Sequence, residues 1–388
     1  MLKHLLIATS LSCLLLGQTL QEFKNQQTQD FKVYKKSQED GFKSYQKEQE
    51  KAFNNYKKEL GRFWDNPEMS SKKTWVSYAK DKKTKTNVNF EKETIVVQTI
   101  ASSKKEAMQK LQIALAKAVT IDTKSVQEND PLEKIIAKIK KPDGVVSSKV
   151  KAEPILSTVV FNKPPTRDSV KKYVNKHIQD TKIQVKKSNK VKHSNVYSVS
   201  VKLPKNSMVK RSKIYYKKIK ENSKVQKLPM PLVFAIMHSE SNFNPRARSH
   251  IPAFGLMQIV PKTAGIDSYN YLYKKKKLVT SSYLYDSTNN IKMGTAYLHI
   301  LYYRYLRKIK NPDSRLYCTI AAYNTGAGNI AYAFTKKYNM NKAAPLINAM
   351  TPKQVYAKLM KDLRWDEPKH YLKKVSKRMS QYKKVYGI

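Results

Sequence analysis

Three near-copies of one 11-residue unit, FKVYKKSQEDG (31–41), FKSYQKEQEKA (42–52) and FNNYKKELGRF (53–63), constrain this chain more sharply than any other feature. They set Phe31, Phe42 and Phe53 eleven residues apart, with Tyr34, Tyr45 and Tyr56 three residues after each. Eleven residues close three helical turns at about 3.67 residues per turn, so the aromatics fall on one nearly straight stripe. The other positions are Lys, Glu, Gln and Asn, which suit water. Residues 20–63 therefore read as a helical stalk whose stripe packs on its own body, on a partner or on a second copy. Its protein partner is unknown from sequence. Aromatics among lysines can also stack nucleic-acid bases.

What the chain binds is bounded by charge. Seventy-six Lys and Arg stand against 29 Asp and Glu, a net charge of +47, while 40% hydrophobic content across 388 residues supports folded domains. Such a balance attracts a polyanion: nucleic acid, an anionic membrane or an acidic wall polymer. The lysines are spread along the chain, which also fits plainly solvated faces. Met1-Leu-Lys-His, the apolar run Leu5 to Leu16 and the polar Gly17-Gln18-Thr19 form a secretory signal over residues 1–19. Twelve helical residues reach about 18 Å, short of a hydrocarbon core of about 30 Å. Export argues against nucleic acid, and leaves association with a membrane or wall through the basic surface. The expected location is the periplasm of a bacterial envelope. Cys13 offers an outer-membrane lipoprotein alternative, though Ser10-Leu11-Ser12-Cys13 is a weak lipobox. The other cysteine, Cys318, reads as a small core residue, and the fold stands without a disulfide.

Residues 64–203 read as an α+β accessory domain. Val88 and Phe90, then Ile95, Val97 and Thr99, alternate on either side of Glu91-Lys92-Glu93, which predicts a hairpin. Ala107, Leu111, Ala114, Leu115 and Ala118 share a helical face, a second helix is expected over 166–181, and Tyr197, Val199, Val201 and Leu203 alternate as a last strand. This stretch has no phosphate loop, no metal-ligand spacing and no nucleophile elbow, so it is expected to bind or position.

Residues 204–388 are helical nearly throughout. Pro231 suits a first helical turn and Asn244-Pro245 a stop, predicting a helix over 231–241. Leu232, Ile236 and Glu240 are four apart, so Glu240 continues an apolar stripe and faces the core side. Burial and the negative end of the helix dipole should both raise its pKa, as a general acid requires. Within residues 238–265 only one residue is a lysine, Lys262. Lysines close to Glu240 would keep it ionised, so they are expected outside the site.

Glu240-Ser241-Asn242-Phe243-Asn244-Pro245, Ser249, Gly255-Leu256-Met257-Gln258, Pro261, Thr263-Ala264 and Ala322-Tyr323-Asn324-x-Gly326 closely resemble the lytic murein transglycosylase domain, a relative of goose-type lysozyme. The resemblance covers about residues 210–388. Phe63 to Ala101 and Asn311 through Gly328 also look like a membrane-bound branch of that family. It implies an all-α lysozyme-like catalytic domain over 204–388, peptidoglycan glycan strands as substrate, and Glu240 as catalytic acid and base. It further implies that Ser249 lies near the reacting sugar, that Gln258 contacts its acetamido or hydroxyl groups, and that Tyr323 lines the site beside Glu240. Met257, Asn324 and Tyr371 are carried over as substrate-binding positions. A phenol at Tyr323 can bond the carboxyl group, Gly255 lets backbone approach the ligand, and Gly326 suits a left-handed helix end.

No cofactor is expected. His238 and Glu240 lie two apart, on different helix faces, and no His-Glu-x-x-His occurs, so no metal site is expected either. Two function classes remain: an enzyme, or a non-enzymatic wall-binding scaffold that keeps the cleft. A hydrolase of the two-carboxylate kind needs a second acid. Between Glu240 and Asp286 only Asp267 offers one, followed by an exposed-looking Ser-Tyr-Asn loop. A single acid suffices if the muramic C6 hydroxyl closes on C1, giving a 1,6-anhydro end. With all the matched chemistry after residue 230, the N-terminal half is expected to place the catalytic domain rather than complete its site.

Overall fold

The computed structural model describes residues 20–387 apart from Asp180, Thr181 and Ile251. The signal segment with Cys13 lies outside the described residues, as do the side chains of Phe31 and Tyr34. Helix α1 (Leu20–Leu60) leads into a five-stranded sheet of β1 (Thr74–Tyr78), β2 (Thr84–Asn89), β3 (Thr94–Ala101), β4 (Gln184–Lys187) and β5 (Asn195–Lys202), ordered β1-β2-β3-β5-β4 and antiparallel throughout. Between β3 and β4 run α2 (Lys104–Thr120), α3 (Thr123–Asn129), α4 (Pro131–Ala137), α5 (Ser157–Val160) and α6 (Arg167–His177). The rest is helical: α7 (Ser207–Ile214), α8 (Tyr216–Gln226), α9 (Met230–Ser241), α10 (Ile266–Tyr273), α11 (Ser281–Tyr285), α12 (Ser287–Ile300), α13 (Pro312–Thr325), α14 (Ala327–Thr335), α15 (Met340–Asn348), α16 (Pro352–Asp362) and α17 (Asp366–Tyr386). No helix among the described residues is long and apolar enough to cross a membrane.

The sheet follows from local chemistry. Asn89 ends β2 and its Oδ1 accepts from the N–H groups of Glu91 and Lys92, closing the turn that brings Asn89 opposite Thr94. Ala107, Leu111, Ala114, Leu115 and Ala118 on α2 are all buried, and they cover Val88, Ile95, Val97, Val199 and Val201. The predicted 166–181 helix is shorter than expected, Arg167–His177, with Thr166 and Ser169 forming its capping box.

Along α1, Phe42, Tyr45 and Tyr56 are buried and Phe53 partly so. These aromatics lie on the chain's own body: α1 packs on α4, and Lys262 and Arg248 sit over the rings of Phe42 and Phe53 at 5.5 and 4.7 Å. The C-terminal helices share one large core around α9, whose residues Leu232 to Met237 are all buried. The expected one-sided stripe is thus corrected. Helix α9 is apolar all round because neighbours, α8 and α17 among them, enclose it.

The change of pattern at residues 203–204 is no gap in space. Asn244 donates to the carbonyls of Ser71, Lys72 and Thr74, the Arg248 N–H to the Ser71 carbonyl, and Arg246 to Gln127 and Glu133. Each contact joins the motif after Glu240 to the N-terminal half.

Candidate active site

The site begins where α9 stops. Asn242 (φ 53°) and Phe243 (φ 61°) are both left-handed, a costly conformation for a bulky residue. Phe243 is held there by burial against Tyr215, Phe234, His238 and Tyr382. The chain then turns sharply, with the Arg246 N–H bonding Asn244 Oδ1 (3.0 Å), and returns as a tight turn over Gly255–Gln258, closed by paired bonds between Phe254 and Ile259. Ser241 Oγ donates to the Leu256 carbonyl (2.7 Å), tying the end of α9 to that turn.

Glu240 is 6% exposed. Tyr371, one turn inside α17, donates its hydroxyl to Glu240 Oε1 at 2.7 Å. Burial pushes the Glu240 pKa up; Lys72, the Tyr371 hydrogen bond and Lys73 oppose this, and Glu367 adds to it. Burial prevails, which leaves a carboxyl able to hold a proton above the usual carboxylate range. One expectation is corrected here. Lysines do approach Glu240, but they arrive from residues 72 and 73, far from the lysine-poor stretch.

Several predicted roles change in three dimensions. The Tyr323 hydroxyl donates to the Met257 carbonyl (2.8 Å), so Tyr371, and not Tyr323, is the hydrogen-bond partner of Glu240. Tyr323 still lies close enough for the Glu240 charge to raise its pKa, behind the larger effect of burial. Met257 is fully buried with its thioether packed on Gly294, where a Cβ would lie 2.3 Å from the sulfur, so its side chain belongs to the core. Gly255 (φ 75°) makes room for Asn290 Nδ2 and the Leu284 carbonyl, each 2.3 Å from an added Cβ. Gln258 spends its amide N–H groups on the carbonyls of Ala247 (3.1 Å) and Gly255 (3.0 Å), leaving its buried Oε1 without a protein donor. It keeps an acceptor for a substrate amide or hydroxyl but no donor. Ser249 accepts from the Ala253 N–H (3.1 Å) within the loop before the turn, and Asn324 reaches Glu367 Oε1 at 3.4 Å.

Gly326 (φ 86°, ψ 151°) is not left-handed helical as expected; it occupies a region reserved for glycine and joins α13 directly to α14. Although an added Cβ would meet nothing within 4 Å, Gly326→Ala is expected to cost about 1–3 kcal/mol in denaturant unfolding through backbone strain alone.

Sequence reasoning missed two residues. Asn290, fully buried on α12, accepts from the Met257 N–H (2.8 Å) and donates to the carbonyls of Phe254 (2.9 Å) and Leu284 (2.7 Å). It thereby fixes both ends of the turn. A polar residue among Ile291, Met293 and Gly294 was its only signal. Asn290→Ala strands these three backbone groups, and a loss of about 3 kcal/mol or more is expected in denaturant unfolding. The other is Glu367, exposed one helical turn before Tyr371, whose charge Glu240 feels. It lay outside the window searched for a second acid. Asp267, by contrast, sits in the first turn of α10 rather than in a loop, and accepts from Tyr305 (2.9 Å). Cys318 is buried in the core and its thiol is pushed up by burial.

The family model described as the transglycosylase SLT domain matches residues 217–345. Membrane-bound lytic murein transglycosylase C of Serratia proteamaculans (strain 568) is 32% identical over 319 residues, 81% of this chain and 84% of that protein. The protein of that name from Sodalis glossinidius (strain morsitans) is 32% identical over 324 residues, again 81% and 84%. Among solved structures, the 70 kDa soluble lytic transglycosylase of Escherichia coli aligns with a TM-score of 0.36 and 23% identity, over 47% of this chain and 26% of that one. With an SLT domain around Glu240 and relatives matched along four fifths of its length, the chain belongs to the lytic murein transglycosylase family.

Proposed function

We propose that this chain is an envelope enzyme that cleaves the β-1,4 bond between N-acetylmuramic acid and N-acetylglucosamine in peptidoglycan, without water, leaving a 1,6-anhydromuramic end. The observation that carries the reading is a buried carboxyl with a raised pKa, Glu240, held by the Tyr371 hydroxyl in a chain of this family. Glu240 gives its proton to the glycosidic oxygen as the bond to C1 breaks. The muramic acetamido oxygen supports the cation that develops. The C6 hydroxyl then attacks C1 and its proton returns to the Glu240 carboxylate, so the enzyme ends as it began. An intramolecular hydroxyl outcompetes water through proximity. The relatives' description as membrane-bound and the signal segment support an envelope location.

Glu367 supports a second reading. As a base for water it would make the enzyme a lysozyme-type hydrolase. Mass spectrometry of a peptidoglycan digest separates the two: anhydro ends are expected, with Glu367→Gln leaving their proportion unchanged. Reducing ends one water heavier, lost in Glu367→Gln, would establish hydrolysis instead. A purely scaffolding role is excluded once purified protein clears peptidoglycan in a zymogram.

Tyr371 and Tyr323 should separate in pH profile. The Tyr371 hydrogen bond favours the charged carboxylate, so removing it raises the Glu240 pKa further. Tyr371→Phe is expected to move the alkaline limb of activity upward while slowing turnover. Tyr323→Phe, which loses a bond to a carbonyl, should leave that limb where it is.

A further inference from the structure

Lys73 reaches the catalytic helix from the other half of the chain. It immediately precedes β1; its carbonyl accepts from the Phe90 N–H (2.9 Å) and its own N–H bonds Ser71 Oγ (3.2 Å), so the sheet determines where the side chain starts. Its Nζ donates to the carbonyls of His238 (3.3 Å) and Ser239 (2.7 Å) and to Asn242 Oδ1 (2.6 Å). An ammonium has three N–H donors, and these are three acceptors. Both carbonyls belong to the last turn of α9, where helix carbonyls run short of partners, although that of His238 also accepts from the Asn242 N–H (3.1 Å), and they lie one and two residues before Glu240. The corner is braced from the sheet by Asn242 Nδ2 on the Phe90 carbonyl (3.4 Å), and from α17 by Arg378 on Ser239 Oγ (3.0 Å) and by Lys374 with Glu91 (3.8 Å).

We propose that Lys73 is a positioning residue for Glu240: through it the N-terminal half caps the last turn of the catalytic helix and supplies a positive charge that steadies the Glu240 carboxylate between its two proton transfers. This rests on reading Glu240 as the acid and base. On this proposal the N-terminal half does more than place the catalytic domain.

The charges facing this corner are Lys72 beside it, Glu91 on the turn between β2 and β3, Lys374 and Arg378 on α17, and Glu240 with Glu367 beyond it. His238 also faces it, pushed down to about 2 by burial first and then by Arg378, so it stays neutral. Burial, then Lys374 and Arg378, bring Lys73 down to about 7, against the pull of Glu240 and Glu91. Its charge is therefore full in acid, about half present near pH 7 and lost above it. A cation near Glu240 lowers the carboxyl's pKa, so removing that cation must raise it.

The test compares full-length wild type, Lys73→Met, Lys73→Arg and Glu240→Gln on purified peptidoglycan strands. Soluble fragments are followed from acid to alkaline pH, with folding checked by circular dichroism and melting. Lys73→Met is expected to lose about tenfold to 10²-fold in kcat with KM little changed. The alkaline limb of its activity should move upward by about one pH unit. Lys73→Arg keeps the charge, holds the limb in place and recovers part of kcat. Should Lys73→Met not fold, Lys73→Gln, which is one atom shorter and offers two N–H donors without the charge, carries the same expectation for the limb. Wild-type kcat in the neutral variants, or a fall in kcat with an unmoved limb, overturns the proposal. If Glu240→Gln stays active, the reading of Glu240 itself fails; if it is inactive while Lys73→Met behaves as wild type, only the role of Lys73 fails.

Discussion

Glu240→Gln should reduce peptidoglycan cleavage by at least about 10²-fold while wall binding persists. The amide keeps the shape of the carboxyl and can still accept from the Tyr371 hydroxyl, but it can neither give a proton to the glycosidic oxygen nor take one from the C6 hydroxyl. Full activity in the variant would refute Glu240 as the acid. The same substitution should leave the fold as stable or more so at neutral pH. Because burial raises the Glu240 pKa, the folded state favours the protonated form. That contribution is fully present below the unfolded pKa of about 4.3 and is lost as pH rises through the folded value. The advantage of Gln over Glu should therefore grow across that window and vanish in acid, which denaturant unfolding at several pH values would measure.

Arg246→Met is expected to be the most damaging change outside the catalytic group, at about 3–5 kcal/mol. Arg246 is buried, bonds Glu133 Oε1 at 2.6 Å and Gln127 Oε1 at 2.7 Å, and stacks on the Tyr285 ring 3.8 Å from its centroid. Removing it leaves the buried Glu133 carboxylate between the two halves of the chain without its cation, held by the Gln127 amide on Oε2 (2.9 Å). Asp130 aggravates the loss. Its pKa is already pushed up to about 6, by burial first and then by Glu133, and Arg246 opposes this ahead of the backbone N–H groups of Glu133 and Leu132. Without Arg246 the Asp130 pKa rises further, so the folded variant binds its proton more tightly than the unfolded chain. The loss should be largest at neutral pH and above, and shrink as pH falls toward about 6, where Asp130 takes its proton in the wild type as well. Equal losses at both pH values would show that packing on Tyr285, and not charge, holds the seam. The seam also bears on truncation: a fragment starting near Pro204 lacks Glu133, Gln127 and Lys73 together. Reduced stability and slow turnover are expected of it, where sequence pattern alone suggested an independent catalytic unit.

Much of this was legible in the sequence because it is local. The β2–β3 hairpin and the buried face of α2 follow from spacings of two and of three to four residues, and α9 stops at a left-handed Asn242, three residues before Pro245 keeps Asn244 out of helical geometry. Glu240 could be singled out because it is an acid on an apolar helix close to that stop. The family resemblance grouped Gly255, Gln258 and Tyr323, and in the structure Gln258 and Tyr323 bond carbonyls of the one turn for which Gly255 makes room.

What touches Glu240 was decided only by tertiary packing. Tyr371 lies 131 residues after it, and Lys73 lies 166 residues before the Ser239 carbonyl it caps. Sequence periodicity reports which face of an element is apolar, but not which element will cover it. It is that cover which removes water from Glu240 and raises its pKa, brings in the Tyr371 hydroxyl to hold it, and sets a lysine from the sheet against its helix in a chain whose local sequence had cleared lysines away.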